Sequence, residues 1–514
     1  MEAVATTGVA GGLPPGLSLA ALVAVAALLR FPTLDAKSFW VDEAVTVRLV
    51  RQDFGDMLSS IPHSESTPPV YYVLAWVWAQ VFGVGESGLR SLSALLGTAL
   101  VPVAYLAGRE LASRRAGLAA AALVAVSPML VWYSQEARAY ALVALLGAVS
   151  LFLFLKALTR PTPAVVLGWA LVSALAVSSH YFAAFLIVPE AAWLLWRQRS
   201  RLAWLGVAIV GATGLALLPL ALEQRGNPDW IEDSGLLGRV AQIPAIFLVG
   251  FELPLAPALA AVAVALVVVG IAAWGLVRLA PPAERRGGIL VGALGAIAVA
   301  APTLLAVVGI DYVVYKNVIV AVLPLALAVA VGLAVYSRRI GLVAAGALVV
   351  LSAAISIGTL WEPKYHREDW RRAADAIGPV AGSRAVVVTP FDGGLPLELY
   401  LAATREEDDR EPLVVDEIDV VAGARRPLGS LDEPSTPRPP SPPPPPAFQV
   451  VERVEGDRFT LVRYRSRAAR AVTLEQLRAL ALDAAPVSVL LQDAASSASA
   501  RSCSSVTARA ARLR

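Results

Sequence analysis

The sequence predicts an all-α polytopic membrane protein with a small α/β domain outside the bilayer at its C-terminal end. Three observations lead there. Of 514 residues, 57% are hydrophobic and 16% charged, with a mean hydropathy of +0.65, too apolar for one water-soluble domain. Apolar runs of roughly 15–22 residues recur between positions 17 and 360, close to the ~20 residues a helix needs to cross a bilayer core. Beyond position 360 these runs stop, and charged, strand-like and proline-rich segments replace them.

The chain's single cysteine, Cys503, lies in a Ser/Ala/Arg-rich tail, so neither a disulfide framework nor a cysteine metal site is expected. The net charge of +3 is small, and the basic residues sit in short loops between apolar runs. That distribution is a topology signal and excludes nucleic acid as the expected partner. No basic segment precedes the first apolar run, and Arg30 closes it where a signal peptide would have small residues, so it reads as a span.

Loop charge assigns the sides. Basic clusters at 108–115, 156–160, 197–201, 277–286 and 337–339 are expected in the cytoplasm. The segments between them, 132–140, 178–182, 223–235 and 311–317, then face outward with the loop that follows the first span. This alternation requires that "VYYVLAWVWAQVFG" (70–83) does not cross. Its shortness, its start after Pro68-Pro69 and its Trp and Tyr content fit a helix lying in the interface. The first outer loop therefore runs from about 32 to 88, about eleven spans are expected, and 241–252 is an alternative second interfacial helix.

The expected organisation is a membrane core over 1–360, a small outer α/β domain over 361–430, a proline-rich linker over 431–448, the end of the outer domain over 449–493 and a disordered tail over 494–514. Within the outer domain, "WEPKYHREDWRRAADAIG" predicts an amphipathic helix, "RAVVVTP" a strand, "PLELYLAA" a helix and "RFTLVRYRS" a strand.

Charged residues cost about 2.5–3.5 kcal/mol at the centre of a spanning helix. Here they mostly avoid the centre and gather at outer helix ends: Asp42 and Glu43, His63 and Glu65, Arg90, Glu136 and Arg138, His180 and Lys316. Any one of these is more often a solvated loop charge, but together they combine carboxylates with cations. Such a cleft suits group transfer from a phosphate-bearing lipid, in which a carboxylate takes the acceptor's proton and fixed cations stabilise the departing phosphate.

"FWVDEA" after the first span, "TPPVYYVL", "GLRSLSALLGTALVPVAYLAGREL" and "SPMLVWYSQEARAYAL" resemble the lipid-linked-sugar glycosyltransferases of the C-type membrane fold (GT-C). The nearest branch is that of the protein O-mannosyltransferases and lipid A aminoarabinose transferases. The likeness is good over about residues 15–200 and loose beyond. It implies a polyprenyl-phosphate sugar donor, an extracytoplasmic glycan, lipid or protein acceptor, and a site on the outer side of the cell membrane. It also implies Asp42 as base with Glu43 as its partner. Some relatives carry a lysine just before the Pro-Pro pair, where this chain has Thr67. Arg138, Arg90 and Lys316 are then the candidates for the donor phosphate, with Arg138 favoured because its planar fork matches phosphate. Glu65, His63, Tyr71, His180 and Tyr140 form a second tier on the acceptor side. A divalent metal on Asp42, Glu43 and His180 stays an open alternative, and no cofactor is otherwise expected.

A transporter or lipid flippase is the competing class; it would require midplane charges and interrupted helices in matching halves, and only Glu190 lies in mid-span. Topology is testable with Cys503 replaced by serine. Arg372→Cys should react with an impermeant thiol reagent in intact cells and Arg199→Cys should not; the reverse pattern would overturn the loop assignment.

Overall fold

A computed structural model describes residues 15–227, 231, 235–250, 255–401, 404–406, 412–424 and 436–493. The tail expected to be disordered, with Cys503, lies outside the described residues. Among those residues, six helices are long and apolar enough to cross a membrane: Glu86–Leu111, Tyr140–Thr159, Arg201–Gly226, Pro257–Leu279, Pro282–Val307 and Arg338–Trp361. The protein is thus a multi-pass membrane protein, although length alone does not reach the expected eleven spans. Breaks within the apolar runs account for part of the difference. Ser127 and Pro128, for instance, divide one run into the helices Arg114–Val126 and Pro128–Tyr133, because the residue before proline is disfavoured in helical conformation. Val70–Phe82 spans only 13 residues, about 20 Å at helical rise against a core of about 30 Å.

Small residues allow the helices to approach closely. A Cβ on Gly108 would lie 2.9 Å from the Cα of Gly117, so the hairpin formed by Glu86–Leu111 and Arg114–Val126 depends on both glycines. Arg30, at the end of the helix Pro15–Arg30, donates from Nη1 to the Ala125 carbonyl at 2.7 Å and from Nη2 to that of Val124 at 3.2 Å. It thereby places a cation on the terminal carbonyls of the helix Arg114–Val126. Its Nε donates to Ser134 Oγ at 3.1 Å, which fixes the segment that carries Glu136 and Arg138.

The loop after the helix Pro15–Arg30 leads to the helix Val41–Val50 and is tied down by one buried pair. Arg90 donates from Nε to Glu43 Oε1 at 2.7 Å and from Nη2 to Glu43 Oε2 at 2.6 Å. Its other N–H groups go to the carbonyls of Leu34, Lys37 and Ser38 at 2.7, 2.8 and 2.9 Å. All five guanidinium donors are therefore used.

The C-terminal region forms a six-stranded mixed sheet in the order β2-β6-β1-β3-β5-β4. The strands are β1 Ser383–Thr389, β2 Thr404–Glu406, β3 Leu413–Gly423, β4 Gln449–Glu455, β5 Phe459–Val472 and β6 Ser488–Asp493. β1 and β3 are parallel and the other neighbours antiparallel. Alternate residues supply two cores, as expected of a strand's two-residue period: Ala385 and Val387 enter one, Val386 and Val388 the other beside Trp370. The helix predicted from 361 onward starts only at Trp370, where Asp369 caps it by accepting from Arg372 N at 3.2 Å. The proline-rich stretch runs along β5, accepting from Thr460 Oγ1 at Pro437 O and from Tyr464 OH at Pro442 O.

This domain docks on the loop that precedes the helix Val41–Val50. Ser38 Oγ donates to Glu368 O at 2.9 Å and accepts from Trp370 N at 3.0 Å. Tyr400 OH accepts from Phe39 N at 2.6 Å and donates to Glu86 Oε1 at 2.8 Å. The Glu43–Arg90 pair should therefore dominate local stability. Arg90→Leu leaves a buried carboxylate without its partner and should cost about 3–5 kcal/mol, whereas the double variant Arg90→Leu/Glu43→Leu should recover much of the loss. Thermal unfolding in detergent measures this; a wild-type melting temperature in Arg90→Leu would contradict it.

Candidate active site

Between the loop that follows the helix Pro15–Arg30 and a set of helix ends lies a cavity of about 340 Å³. Its wall includes Asp42, Glu65 and Thr67 from the first loop, Arg138 and Tyr140, and His180, Gln224 and Lys316 from three further segments. Asp42 and Glu43 occupy the first turn of the helix Val41–Val50, where the helix dipole favours negative charge. Consecutive helical residues point about 100° apart. One carboxylate accordingly faces the cavity while the other is buried on Arg90.

Asp42 Oδ2 accepts from Lys316 Nζ at 2.8 Å, with the Asp42 side chain 24% exposed. Burial pushes the Asp42 carboxyl up, but Lys316, then Arg138 and Arg367, together hold it below the usual carboxylate range. Burial alone would lower the Lys316 ammonium; Asp42 and its other neighbours raise it above its ordinary value. Lys316 is charged at neutral pH.

Arg138 forms a fork-to-fork pair with Glu65, Nη1 to Oε1 at 2.6 Å and Nη2 to Oε2 at 2.8 Å. Its Nη1 also reaches the Asp42 carbonyl at 2.9 Å and Thr46 Oγ1 at 3.2 Å. Burial opposes its charge, and Glu65 raises its pKa well above the ordinary value despite that. Beside it, Glu136 Oε1 accepts from Trp132 Nε1 at 2.7 Å and from Arg367 Nη2 at 2.8 Å. His180 is held down to about 3 by burial and by Arg138 and Lys316, so its ring is neutral at neutral pH. Its Nδ1 accepts from Phe182 N at 3.3 Å and caps the short helix Tyr181–Ala183.

Of the residues singled out from sequence, Asp42, Glu65, Arg138, Tyr140, His180 and Lys316 share this cavity. Four do not line it. Glu43 is buried on Arg90 and does not face the space beside Asp42. The expectation that Arg90 holds phosphate fails on its bonding, since every donor is engaged inside the protein. Tyr71, in the first turn of the helix Val70–Phe82, is buried beside Tyr72. His63 is exposed, 3.8 Å from Glu223. Because Glu43 is turned away, the suggested metal set of Asp42, Glu43 and His180 is not assembled, and no group of three such ligands occurs among the described residues.

Sequence reasoning missed Gln224 and Asn227, which brace the loop. Gln224 Nε2 donates to the carbonyls of Ile61 and Thr67 at 3.3 and 3.2 Å, and Asn227 Nδ2 to that of Glu65 at 2.6 Å. It also missed Arg367 and Trp40. The signal available was polarity: "EQRGN" and "YHREDW" are dense in polar residues at the edge of apolar runs.

Residues 66–221 match the dolichyl-phosphate-mannose-protein mannosyltransferase family. The chain does resemble the GT-C membrane glycosyltransferases, as its motifs indicate. No match was found among curated proteins. Among solved structures, the chain is similar to the apo oligosaccharyltransferase of Archaeoglobus fulgidus, at 13% identity and a TM-score of 0.48, over 75% of this chain and 63% of that one. It is also similar to apo ArnT from Cupriavidus metallidurans, at 16% identity and a TM-score of 0.40, over 87% and 98% of the two chains. A third is the arabinofuranosyltransferase AftD from Mycobacteria, at 19% identity and a TM-score of 0.42, over 74% and 30%. The chain spans about three fifths of the length of the archaeal enzyme.

The Asp42–Lys316 pair carries a pH signature. A carboxyl whose folded pKa is depressed contributes stability above its unfolded value of about 3.9 and loses it as pH falls through the folded value. The stability difference between wild type and Lys316→Met should therefore be present at pH 7, at about 1–3 kcal/mol for a charge-assisted bond, and should fade as pH drops below about 4. Melting curves in detergent across pH measure it; a difference that grows on acidification would contradict the pairing.

Proposed function

We propose that the protein is an integral membrane glycosyltransferase that moves a hexose, mannose-like, from a polyprenyl-phosphate donor to an extracytoplasmic acceptor with inversion. The observation that carries this is one cavity in which a carboxylate, Asp42, meets two cations, Lys316 and Arg138, on a chain whose residues 66–221 match the mannosyltransferase family. In the proposed reaction the acceptor hydroxyl gives its proton to Asp42 as its oxygen bonds to the anomeric carbon. The bond from that carbon to the phosphate oxygen breaks, and its electron pair leaves with the polyprenyl phosphate. Lys316 and Arg138 stabilise that charge, so no general acid is required. A single displacement inverts the anomeric centre.

Arg138 must share its fork between Glu65 and the phosphate, whereas Lys316 brings its charge directly against Asp42. The competing transporter class gains no support from Glu190. Its Oε2 accepts from Ser150 Oγ at 2.7 Å and Trp169 Nε1 at 2.9 Å, bonds that tie neighbouring helices together.

Asp42→Asn keeps size and hydrogen bonding but cannot accept the proton. Turnover of a synthetic polyprenyl-phosphate mannose, with envelope extract supplying the acceptor, should fall by about 10²–10⁴-fold, while donor binding persists. Wild-type turnover in this variant would remove Asp42 as base; joint loss of binding and turnover would make Asp42 a structural group and Glu65 the next candidate.

A further inference from the structure

Arg367 belongs to none of the membrane helices. It lies between the last span, Arg338–Trp361, and the helix Trp370–Ile377 of the C-terminal domain, yet it reaches the segments that present the two central site residues. Its guanidinium carbon stands 3.7 Å from the centre of the Trp40 ring, and Trp40 precedes Asp42 by two positions. Its Nη2 donates to Glu136, which precedes Arg138 by two positions. Lys316 Nζ lies over the same Trp40 ring at 5.0 Å while it bonds Asp42 at 2.8 Å.

We propose that Arg367, supplied by the C-terminal domain, is a positioning residue of the Asp42 cavity: through Trp40 it sets where the Lys316 ammonium sits relative to the base. A lysine ammonium is a point charge on a flexible stem, and an aromatic face attracts it without fixing it. Arg367 occupies the nearer place on Trp40, which leaves Lys316 further from the ring centre and against Asp42. The surrounding charges fit this role. Arg138 is matched by Glu65 and Arg367 by Glu136, Lys37 lies over Trp132 at 3.6 Å, and His180 is neutral, so Lys316 is the cation directly bonded to Asp42. Tyr140 also faces this pair. Arg367 adds a fixed positive charge that helps keep the Asp42 carboxyl ionised.

The proposal rests on the function proposed above, and two readouts separate them. Carbodiimide labelling of Asp42, followed by mass spectrometry across pH, reports the protonated carboxyl whether or not the enzyme turns over. Turnover with polyprenyl-phosphate mannose and envelope extract reports the reaction. In Arg367→Met the labelling midpoint should move to higher pH, because a cation that favours the carboxylate is gone, and kcat should fall on the order of tenfold as Lys316 loses its placement. Arg367→Lys should keep the wild-type midpoint, since the charge remains, but recover kcat only in part. Arg371→Ala is the control: Arg371 binds Glu86 at 3.1 Å across the same domain junction, outside the cavity, and its loss should leave the midpoint unchanged.

An unmoved midpoint in Arg367→Met, or an equal shift in Arg371→Ala, overturns the proposal. If Arg367→Met does not accumulate in membranes, Arg367→Lys carries the test, and wild-type kcat in that variant overturns it. Absence of transfer by the wild type, with the midpoints behaving as stated, would sink the proposed function and leave the placement of Lys316 against Asp42 by Arg367 intact.

Discussion

A carboxylate and a guanidinium that see almost no water hold the cavity-bearing face of this protein together. Removing such ions from water costs several kcal/mol each unless the geometry is good and every remaining donor is satisfied. Glu43 and Arg90 meet that condition: both oxygens of the acid accept from the arginine, the Ala137 N–H adds a third bond, and three carbonyls of the incoming loop take the rest. The pair is therefore a fixed point to which the loop before Asp42, the helix Val41–Val50 and the segment at Ala137 are all referred. Asp42 and Arg138 are each one residue away from it.

From that fixed point outward, charge is arranged in matched pairs. Glu65 faces Arg138, Glu136 faces Arg367, and Asp42 faces Lys316. Pairing keeps a crowded, partly dry site ionised without a large net field. It also divides the labour: the two arginines are held by their own glutamates, and the lysine is left with the acid at the cavity wall. The C-terminal domain takes part in this arrangement through Arg367, and Ser38, Phe39 and Glu86 bind it to the loop and the helix below.

How much of this was legible in the sequence differs by element. The multi-pass core was, because apolar length and loop charge are local properties. Six of the polar residues that line the cavity were legible as a set, since polar residues at the ends of apolar runs are rare enough to notice. What could not be read was the direction of each side chain. "DE" in a sequence gives no hint that its acids part by about 100° once the first helical turn forms, so Glu43 was paired with Asp42 and Arg90 with phosphate. Strands β3 and β6 escaped notice for a related reason. β3 is buried on both faces and lacks clear alternation, and β6 pairs with β1 from more than a hundred positions away. Arg367 belongs to the same class, since its partners Trp40 and Glu136 lie more than two hundred positions from it.

The helix Arg201–Gly226 ends at the cavity with Gln224, whose amide is bonded to the loop at Ile61 and Thr67. Along its length only 11% of its apolar window is covered by protein, and Trp204, Leu205, Leu215 and Leu222 point outward. It is fastened at the cavity end by Gln224 and along its first half by Ala203, Gly206 and Val210, which are buried where it packs against the helix Pro163–Val177. Between those two anchors the stretch from Leu215 to Leu222 is covered by little protein, so the least work needed to widen the cavity is on that flank.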